Sequence, residues 1–595
     1  MKLLAKSWPQ TDEGRAVGFF AQAAIELVHE KSWESYKLQA LSPLARLHEA
    51  QTISQSVMNG VLPSKALDPV VEEANSSFCH DPIIRKIADR KRIEPKDIEI
   101  SKDDKAQDIF TQCGFLLQLF QYRYRSTAED LIVDECFGKK RRSEIYLLLK
   151  NYLSELVLRG HSRIQIEKKI RELFFDKVVT SVNRNTLRFF FRKFPEERRE
   201  YDIYGKTEES LLNALGRLVP AEIIQGREVP RKLKTIFPKT KSEAYFKIRY
   251  KSYDHYSAIQ GAGVILGIGE AMMMLFPGDQ LGQVPQQLCA SKRGSSDYKV
   301  SDTRPGFSRR ILSYSKNSAV RHMDRVRKLV LSKDRSTEEI VGSSFFSATM
   351  MAGLGDKSTA PEVKLLTLWA AFEALLPNVP EGSTNRITHF LEYIVPAVTL
   401  SYPRDCFVEF SRELERLHVP EYKDYLEGLP IDKSSLSDRL AAVIISGDQS
   451  QQSGLCDVLK SNPLALFRLM DLQQKFSTPE SFAKAVSDHR TRVEWQVQRI
   501  YRERNTVMHN GETSPAMLRI LSNTYYYYLL TYASIETVAK SYGDLSIPQS
   551  LSAIRKLSQS DQAKIAKARA SLKDNAIEAQ SLLMQIISGH FHSDT

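Results

Sequence analysis

The chain lacks the cysteine patterns of disulfide-rich and zinc-binding proteins. Its 595 residues include six cysteines, which stand far apart and form no Cys-x-x-Cys pair. Disulfide frameworks and structural zinc sites require paired or clustered cysteines. The sequence therefore gives no support to either class and favours a reducing, cytoplasmic location.

Long apolar runs are lacking as well. The most apolar segment, AGVILGIGEAMMMLF at 262–276, is interrupted by Glu270 and falls short of the ~20 residues that a membrane span needs. The N-terminus, MKLLAKSWPQTDEG, has too short an apolar run for a signal peptide. We therefore expect no membrane association and interpret 262–276 as part of a buried helix.

Positive charge is abundant and unevenly placed. The formal net charge is +12, and residues 292–335 alone hold thirteen Lys/Arg against four Asp/Glu. Such a concentration attracts phosphate backbones, although a solvated basic surface explains it equally well. The candidate RNA-binding residues of this region are Arg309, Arg310, Arg325 and Lys328.

The order of periodic segments predicts a mainly α protein. We expect a mostly helical N-terminal region and candidate sensor at 1–235, and a basic middle region at 236–350. An antiparallel helical bundle follows at 355–545 and a helical appendage, such as an oligomerisation arm, at 546–595. The N-terminal and middle regions together are predicted to mix helices with some β-structure.

The β-structure is expected in two places. Dense aromatics in TLRFFFRKFPEERREYDIYG predict a strand, or a strand pair, near 178–204. Phe189 to Phe191, flanked by Arg188 and Arg192, have the composition of a base-stacking surface, but a buried strand with charged ends is the favoured interpretation. AYFKIRYKS reads as a second strand, leading into a helix near 257–276, and 277–310 as a long loop.

The stretch YRERNTVMHNG, residues 501–511, ends a predicted helix of about thirty residues. One face of this helix is apolar but contains an arginine; its residues are Val493, Val497, Ile500, Arg504 and Val507. A neighbouring stripe is wholly polar: Gln498, Arg502, Asn505 and His509. Asn510 and Gly511 supply the helix stop.

An arginine, an amide and a histidine at one helix end suit phosphate chemistry without a metal. A histidine near a helix C-terminus can transfer a proton near neutral pH. An arginine can stabilise the charge that develops on phosphate oxygens. Spacing alone favours a different explanation, a polar helix end at which Arg504 makes a buried ion pair.

Arg504-Asn505-Thr-Val-Met-His509 resembles the signature of HEPN (higher eukaryotes and prokaryotes nucleotide-binding) domains, an Arg followed by His after four to six residues. Arg502 also fits that spacing, but the polar Asn505 follows Arg504 directly. The segments LLTLWAAFEALLP and NRITHFLEYIV look like the first two helices of Apea-like HEPN domains. The resemblance covers about 355–545 and does not extend to residues 1–350.

The resemblance implies a metal-independent endoribonuclease without a cofactor. Such an enzyme cleaves single-stranded RNA or tRNA to a 2′,3′-cyclic phosphate, acts as a homodimer with two motifs at one cleft, and serves in bacterial antiphage defence (abortive infection) or as a toxin. Its catalytic residues here would be Arg504, His509 and Asn505, supported by Arg502. Glu373, the one acid in WAAFEALL, would orient Arg504 or His509, unless it simply faces solvent.

Two other functions remain open at this point. Some HEPN proteins lack cleavage activity, so the chain can be a non-catalytic RNA- or nucleotide-binding regulatory protein that uses its basic middle region. It can also be a structural dimerisation protein, in which Arg504 only stabilises the fold. The trigger, the cleavage site and the N-terminal fold are not indicated by the sequence.

Overall fold

The computed structural model shows a mainly helical protein with a small antiparallel sheet. It describes residues 4, 8–28, 41–176, 179–209, 212, 221–225, 228–238, 240, 243–274, 285–303, 344–358, 360–377, 386–416, 419–433, 435–511, 514, 517–542, 545–572 and 574–589. None of the described helices combines the length and apolarity needed to cross a bilayer.

The N-terminal domain is a cluster of helices around α1. These helices are α1 (Asp12–Val28), α2 (Pro43–Met58), α3 (Asp68–Phe78), α4 (Pro82–Lys91), α5 (Ala106–Phe137), α6 (Arg142–Arg159), α7 (Arg163–Phe174) and α8 (Arg184–Phe191). Helix α1 is apolar on nearly every side, so it is buried almost throughout and lies at the centre. Side-chain caps at Ser42, Asp81, Ser162 and Asn183 begin four of the other helices.

A five-stranded antiparallel sheet follows, in the order β2-β3-β1-β4-β5. Its elements are β1 (Arg199–Glu208), β2 (Ala221–Ile224), α9 (Arg231–Ile236), β3 (Glu243–Ser252), α10 (His255–Met274), β4 (Gln287–Lys292) and β5 (Tyr298–Asp302). Helix α10 covers one face of the sheet and α9 covers part of the other. A Cβ at Gly261 of α10 would lie 2.4 Å from the Tyr250 ring, so glycine permits this close packing.

The described residues of the C-terminal region form two hydrophobic cores. The bundle core is formed by α11 (Ser344–Lys357), α12 (Pro361–Leu375), α13 (Arg386–Thr399), α19 (Pro479–Asn510), α20 (Met517–Ser541) and α21 (Ile547–Ser571). The insert core is formed by α14 (Tyr402–Arg416), α15 (Pro420–Glu427), α16 (Leu436–Ser446), α17 (Gln449–Leu459), α18 (Pro463–Phe476) and α22 (Ala576–Ser588). Helices α19 and α21 contribute to both cores and therefore join them.

Buried polar contacts attach the N-terminal domain to the C-terminal region. On α18, the backbone N–H of Leu464 donates to the Gln22 side chain (3.3 Å), and Arg468 pairs with Glu26. On α20, Arg519 donates to the backbone carbonyl of Ser154 at 2.8 Å. A third attachment, on α19, lies beside the candidate site.

The mainly α fold class predicted from the sequence is confirmed, whereas the HEPN-like nature of the bundle stays a prediction. The strand prediction near 178–204 is correct from Arg199 onward but wrong at α8, where a capping box begins a helix instead. The loop prediction for 277–310 is wrong at β4 and β5, which pair as a hairpin.

Two of the predicted domain boundaries, at 235 and at 546, can be compared with the helices and strands found there. Residue 235 lies within α9, between strands of one sheet, since β1 and β2 precede it and β3 to β5 follow. In the predicted appendage at 546–595, α21 places Leu551 and Ile554 in the bundle core, and α22 lies in the insert core. These last helices are therefore integral to the C-terminal fold.

Candidate functional site

The candidate site lies at the C-terminal end of α19. Thr478 begins this 32-residue helix with a capping box, and Pro479 occupies its first turn. Its interior contains no further proline and no glycine. Gly511 ends it in the left-handed conformation, at φ 67°, and donates its N–H to the Val507 carbonyl. The helix end predicted from the sequence is thus confirmed.

Arg504 lies on the buried face of α19 but is itself only half-buried. Val493, Val497 and Ile500, on the same face, are 1–2% exposed. The Arg504 guanidinium donates to Oδ1 of the half-buried Asn505 at 3.0 Å. Among the described residues Arg504 forms no ion pair, so the buried pair that spacing alone favoured is not found there.

His509 is exposed in the last turn of α19. Within the described part of the chain, its side chain makes no hydrogen bond or ion pair. Ser514, three positions beyond Gly511, is held close to this helix, because the buried Glu503 carboxylate accepts a hydrogen bond from the Ser514 backbone N–H at 2.8 Å. Burial raises the pKa of Glu503, although this hydrogen bond opposes the rise.

Arg502 is directed away from this end and into the third attachment to the N-terminal domain. It lies 3.0 Å from Glu49 of α2, while Arg499 lies 2.7 Å from Glu49 and also pairs with Glu73 of α3. All four residues are buried or nearly so. We call them the α19 clamp.

The α19 clamp shifts the ionisation of its members. Burial alone raises the pKa of Glu49, but the charges of Arg499 and Arg502 and hydrogen bonds from both lower it to about 2. Burial lowers the pKa of Arg502, and the charge of Glu49 opposes that change. Arg502 is therefore buried in a charge cluster between α19 and α2, whereas the resemblance implied that it supports the catalytic residues.

Glu373 is exposed on α12 and contacts its own helix. Its carboxylate accepts a hydrogen bond from Nε1 of Trp369, one turn earlier, at 2.8 Å. The Trp369 ring stacks on Phe390 and lies 5.5 Å from the Tyr501 ring of α19. The described structure thus gives Glu373 no direct contact with Arg504 or His509, and its position fits the solvent-facing interpretation.

The predicted RNA-binding residues Arg309, Arg310, Arg325 and Lys328 lie outside the described residues. Of the predicted catalytic residues, the structure places Arg504 and Asn505 in contact and His509 in the last turn of the same helix. The described residues contain no group of three or more His, Cys, Asp or Glu that could hold a metal ion.

Sequence reasoning missed the carboxylates of the α19 clamp. Glu49 and Glu73 lie more than 400 positions before their arginine partners. The only local signal is two arginines, Arg499 and Arg502, one turn apart on a helix with a buried face. That signal indicates a need for acidic partners without identifying them.

No protein-family model matches this chain, and no curated protein or solved structure is detectably similar to it.

Proposed function

We propose that this protein is a metal-independent endoribonuclease whose cleavage chemistry depends on Arg504 and His509. The main support for this proposal is that neighbouring arginines of α19 differ in burial and in ion pairing. Arg499 and Arg502 are buried against carboxylates, whereas Arg504 and His509 remain accessible and form no ion pair within the described residues. A guanidinium in that state can bind a phosphate diester.

The proposed reaction is an internal transphosphorylation. The RNA 2′-oxygen bonds to phosphorus while the bond from phosphorus to the 5′-oxygen breaks, which yields a 2′,3′-cyclic phosphate and a 5′-hydroxyl. One imidazole, His509, takes the 2′-hydroxyl proton, and a second acid protonates the leaving oxygen. The guanidinium of Arg504, oriented by Asn505, stabilises the charge on the phosphate oxygens.

A single His509 cannot perform both proton transfers in one step. We propose that a second copy of the chain supplies the second imidazole, so the active form is a homodimer. The N-terminal domain, joined to the site helix through the α19 clamp, is the candidate sensor of a trigger. Antiphage defence or toxicity by RNA cleavage is the biological setting that the HEPN resemblance implies.

Cleavage of single-stranded RNA in the presence of EDTA tests the proposal. We expect the wild type to cleave and His509→Ala to lose activity by about 10²- to 10⁴-fold, the usual contribution of a general acid or base. His80→Ala, at an exposed histidine of the N-terminal domain, is the matched control and should keep full activity.

Cleavage that survives in His509→Ala, or that EDTA abolishes, would reject this mechanism. Salt-sensitive RNA binding without any cleavage would instead favour the non-catalytic RNA-binding function.

A further inference from the structure

Helix α8 presents an exposed phenylalanine beside three cations. Phe189 is 49% exposed, and the Lys193 ammonium lies 3.8 Å from its ring centroid. Arg188 and Arg192 are exposed one turn apart on the adjacent stripe. We call Arg188, Phe189, Arg192 and Lys193 the α8 surface.

The segment that contains this surface has an excess of positive charge. Residues 184–199 hold six Lys/Arg against two Glu, a local charge of +4. Among the residues that the structure describes, Arg188 and Arg192 form no ion pair. By contrast Arg184, at the start of the same helix, pairs with Asp134 at 2.7 Å. The surface therefore complements a polyanion.

The opposite face of α8 fixes the surface in place. Phe190 and Phe191 are buried in the N-terminal core, where both rings pack edge-on against Phe20. The buried Arg125 guanidinium donates to the carbonyl oxygens of Phe191 (3.4 Å) and Phe194 (2.6 Å). Phe189 and Arg188 are thus held on a rigidly packed helix, and Arg192 and Lys193 lie in the turn that directly follows it.

We propose that the α8 surface binds single-stranded RNA, with an unpaired base stacked on the open face of Phe189 and the cations on adjacent phosphates. Aromatic rings stack on any unpaired base, and neighbouring cations follow the backbone. The choice of RNA as the ligand rests on the proposed function. The geometry of Phe189 and its neighbouring cations is independent of that function.

The α8 surface is separate from the Arg504 and His509 end of α19. Helix α6 contacts α8 through Tyr152, whose ring packs on Phe191. It contacts α20 through the Ser154 side chain, whose hydroxyl oxygen accepts from Arg519 at 3.3 Å. Tyr152 and Ser154 are two positions apart, so their side chains project about 200° apart around the helix axis. Helices α8 and α20 therefore lie on different sides of α6. The α8 surface therefore contributes to affinity and leaves the chemical step unchanged.

The test is binding of a fluorescent single-stranded RNA oligonucleotide to full-length His509→Ala protein, measured by anisotropy at several salt concentrations. Adding the Phe189→Ala substitution to this protein should weaken binding about 5- to 150-fold, the range for loss of one stacked base. Phe189→Trp should keep it. Phe115→Ala, at a phenylalanine that is 61% exposed on α5, is the matched control and should change nothing.

The two arginines give an independent readout. Arg188→Ala with Arg192→Ala should reduce the slope of log affinity against log salt by about 1.4, since each single-strand phosphate contact contributes about 0.7. Phe189→Ala should leave that slope unchanged. In the wild-type background, if cleavage occurs, Phe189→Ala should raise KM and leave kcat unchanged.

Unchanged RNA affinity in Phe189→Ala would overturn the inference, as would an equal loss for duplex RNA, whose bases cannot stack on the ring. The inference would also be overturned if substitutions in the α8 surface weakened binding to anionic vesicles and left RNA affinity unchanged. Weaker RNA binding by Phe189→Ala in a protein that never cleaves RNA would reject the proposed function and leave this inference standing.

Discussion

The α19 clamp yields a quantitative prediction for Glu49→Gln. The substitution keeps the shape of the side chain and removes the charge that faces Arg499 at 2.7 Å and Arg502 at 3.0 Å. The pKa of Glu49 falls from 4.5 to about 2 in the folded protein. At about 1.4 kcal/mol per tenfold change, the charged form stabilises the fold by roughly 3 kcal/mol at neutral pH. Removing one partner of a buried pair costs about as much.

The pH dependence of this contribution follows from the sign of the shift. Because the folded-state pKa of Glu49 lies below its unfolded-state value, the stabilisation is complete above about pH 4.5 and is lost as pH falls towards 2. The difference between the wild type and Glu49→Gln should therefore be constant from pH 7 to pH 5 and shrink below that range.

Urea unfolding followed through intrinsic tryptophan fluorescence measures the difference; Trp369, one of four tryptophans, lies in the bundle core. Glu94→Gln is the control, since its pair with Lys96 is exposed (side chains 66% and 77% exposed) and exposed pairs contribute little. An equal effect of the two substitutions, or a difference that does not change between pH 5 and pH 3, would refute the assignment of the clamp as a buried charge cluster.

Three further outcomes are expected. Arg504→Ala should abolish most RNA cleavage with little change in melting temperature. Arg502→Ala should destabilise the fold by about 3–5 kcal/mol in calorimetry. Loss of stability in Arg504→Ala and loss of cleavage alone in Arg502→Ala would exchange the roles of the two arginines. Burial lowers the pKa of His161 to about 4, so stability should be complete above about pH 6.5 and fall by at most about 3 kcal/mol towards pH 4; His161→Phe should remove that slope in pH-dependent urea titrations. Gly511→Ala should cost about 1–2 kcal/mol because φ is 67°, while Gly353→Ala, in a helix with open space around it, should be neutral or stabilising; similar melting temperatures for both would contradict this.

Local signals in the sequence were sufficient for α19. A threonine cap, an early proline, an apolar stripe and Gly511 each have a short-range physical effect, so the helix and both of its ends could be predicted. The half-buried position of Arg504 and the exposure of His509 agree with the stripe and the last turn on which they were placed.

Long-range contacts limited the rest of the prediction. Arg502 and Arg504 both satisfy the same spacing, and only the position of Glu49 in the fold separates a buried arginine from an accessible one. The run Phe189 to Phe191 is dense in aromatics and resembled a strand, yet a capping box between Asn183 and Thr186 favours a helix. The hairpin of β4 and β5 consists of short strands with many polar residues, so its pattern resembled a loop.

If Arg504 and His509 catalyse RNA transphosphorylation, as proposed above, the cleaved RNA carries a defined chemical group at its new 3′ ends. Mass spectrometry of a single-stranded RNA incubated with the protein in EDTA should find 2′,3′-cyclic phosphate ends with the wild type. His509→Ala should form far less of this product in the same time. Fragments that end in a 3′-hydroxyl, or equal yields of cyclic phosphate from the wild type and His509→Ala, would reject this mechanism.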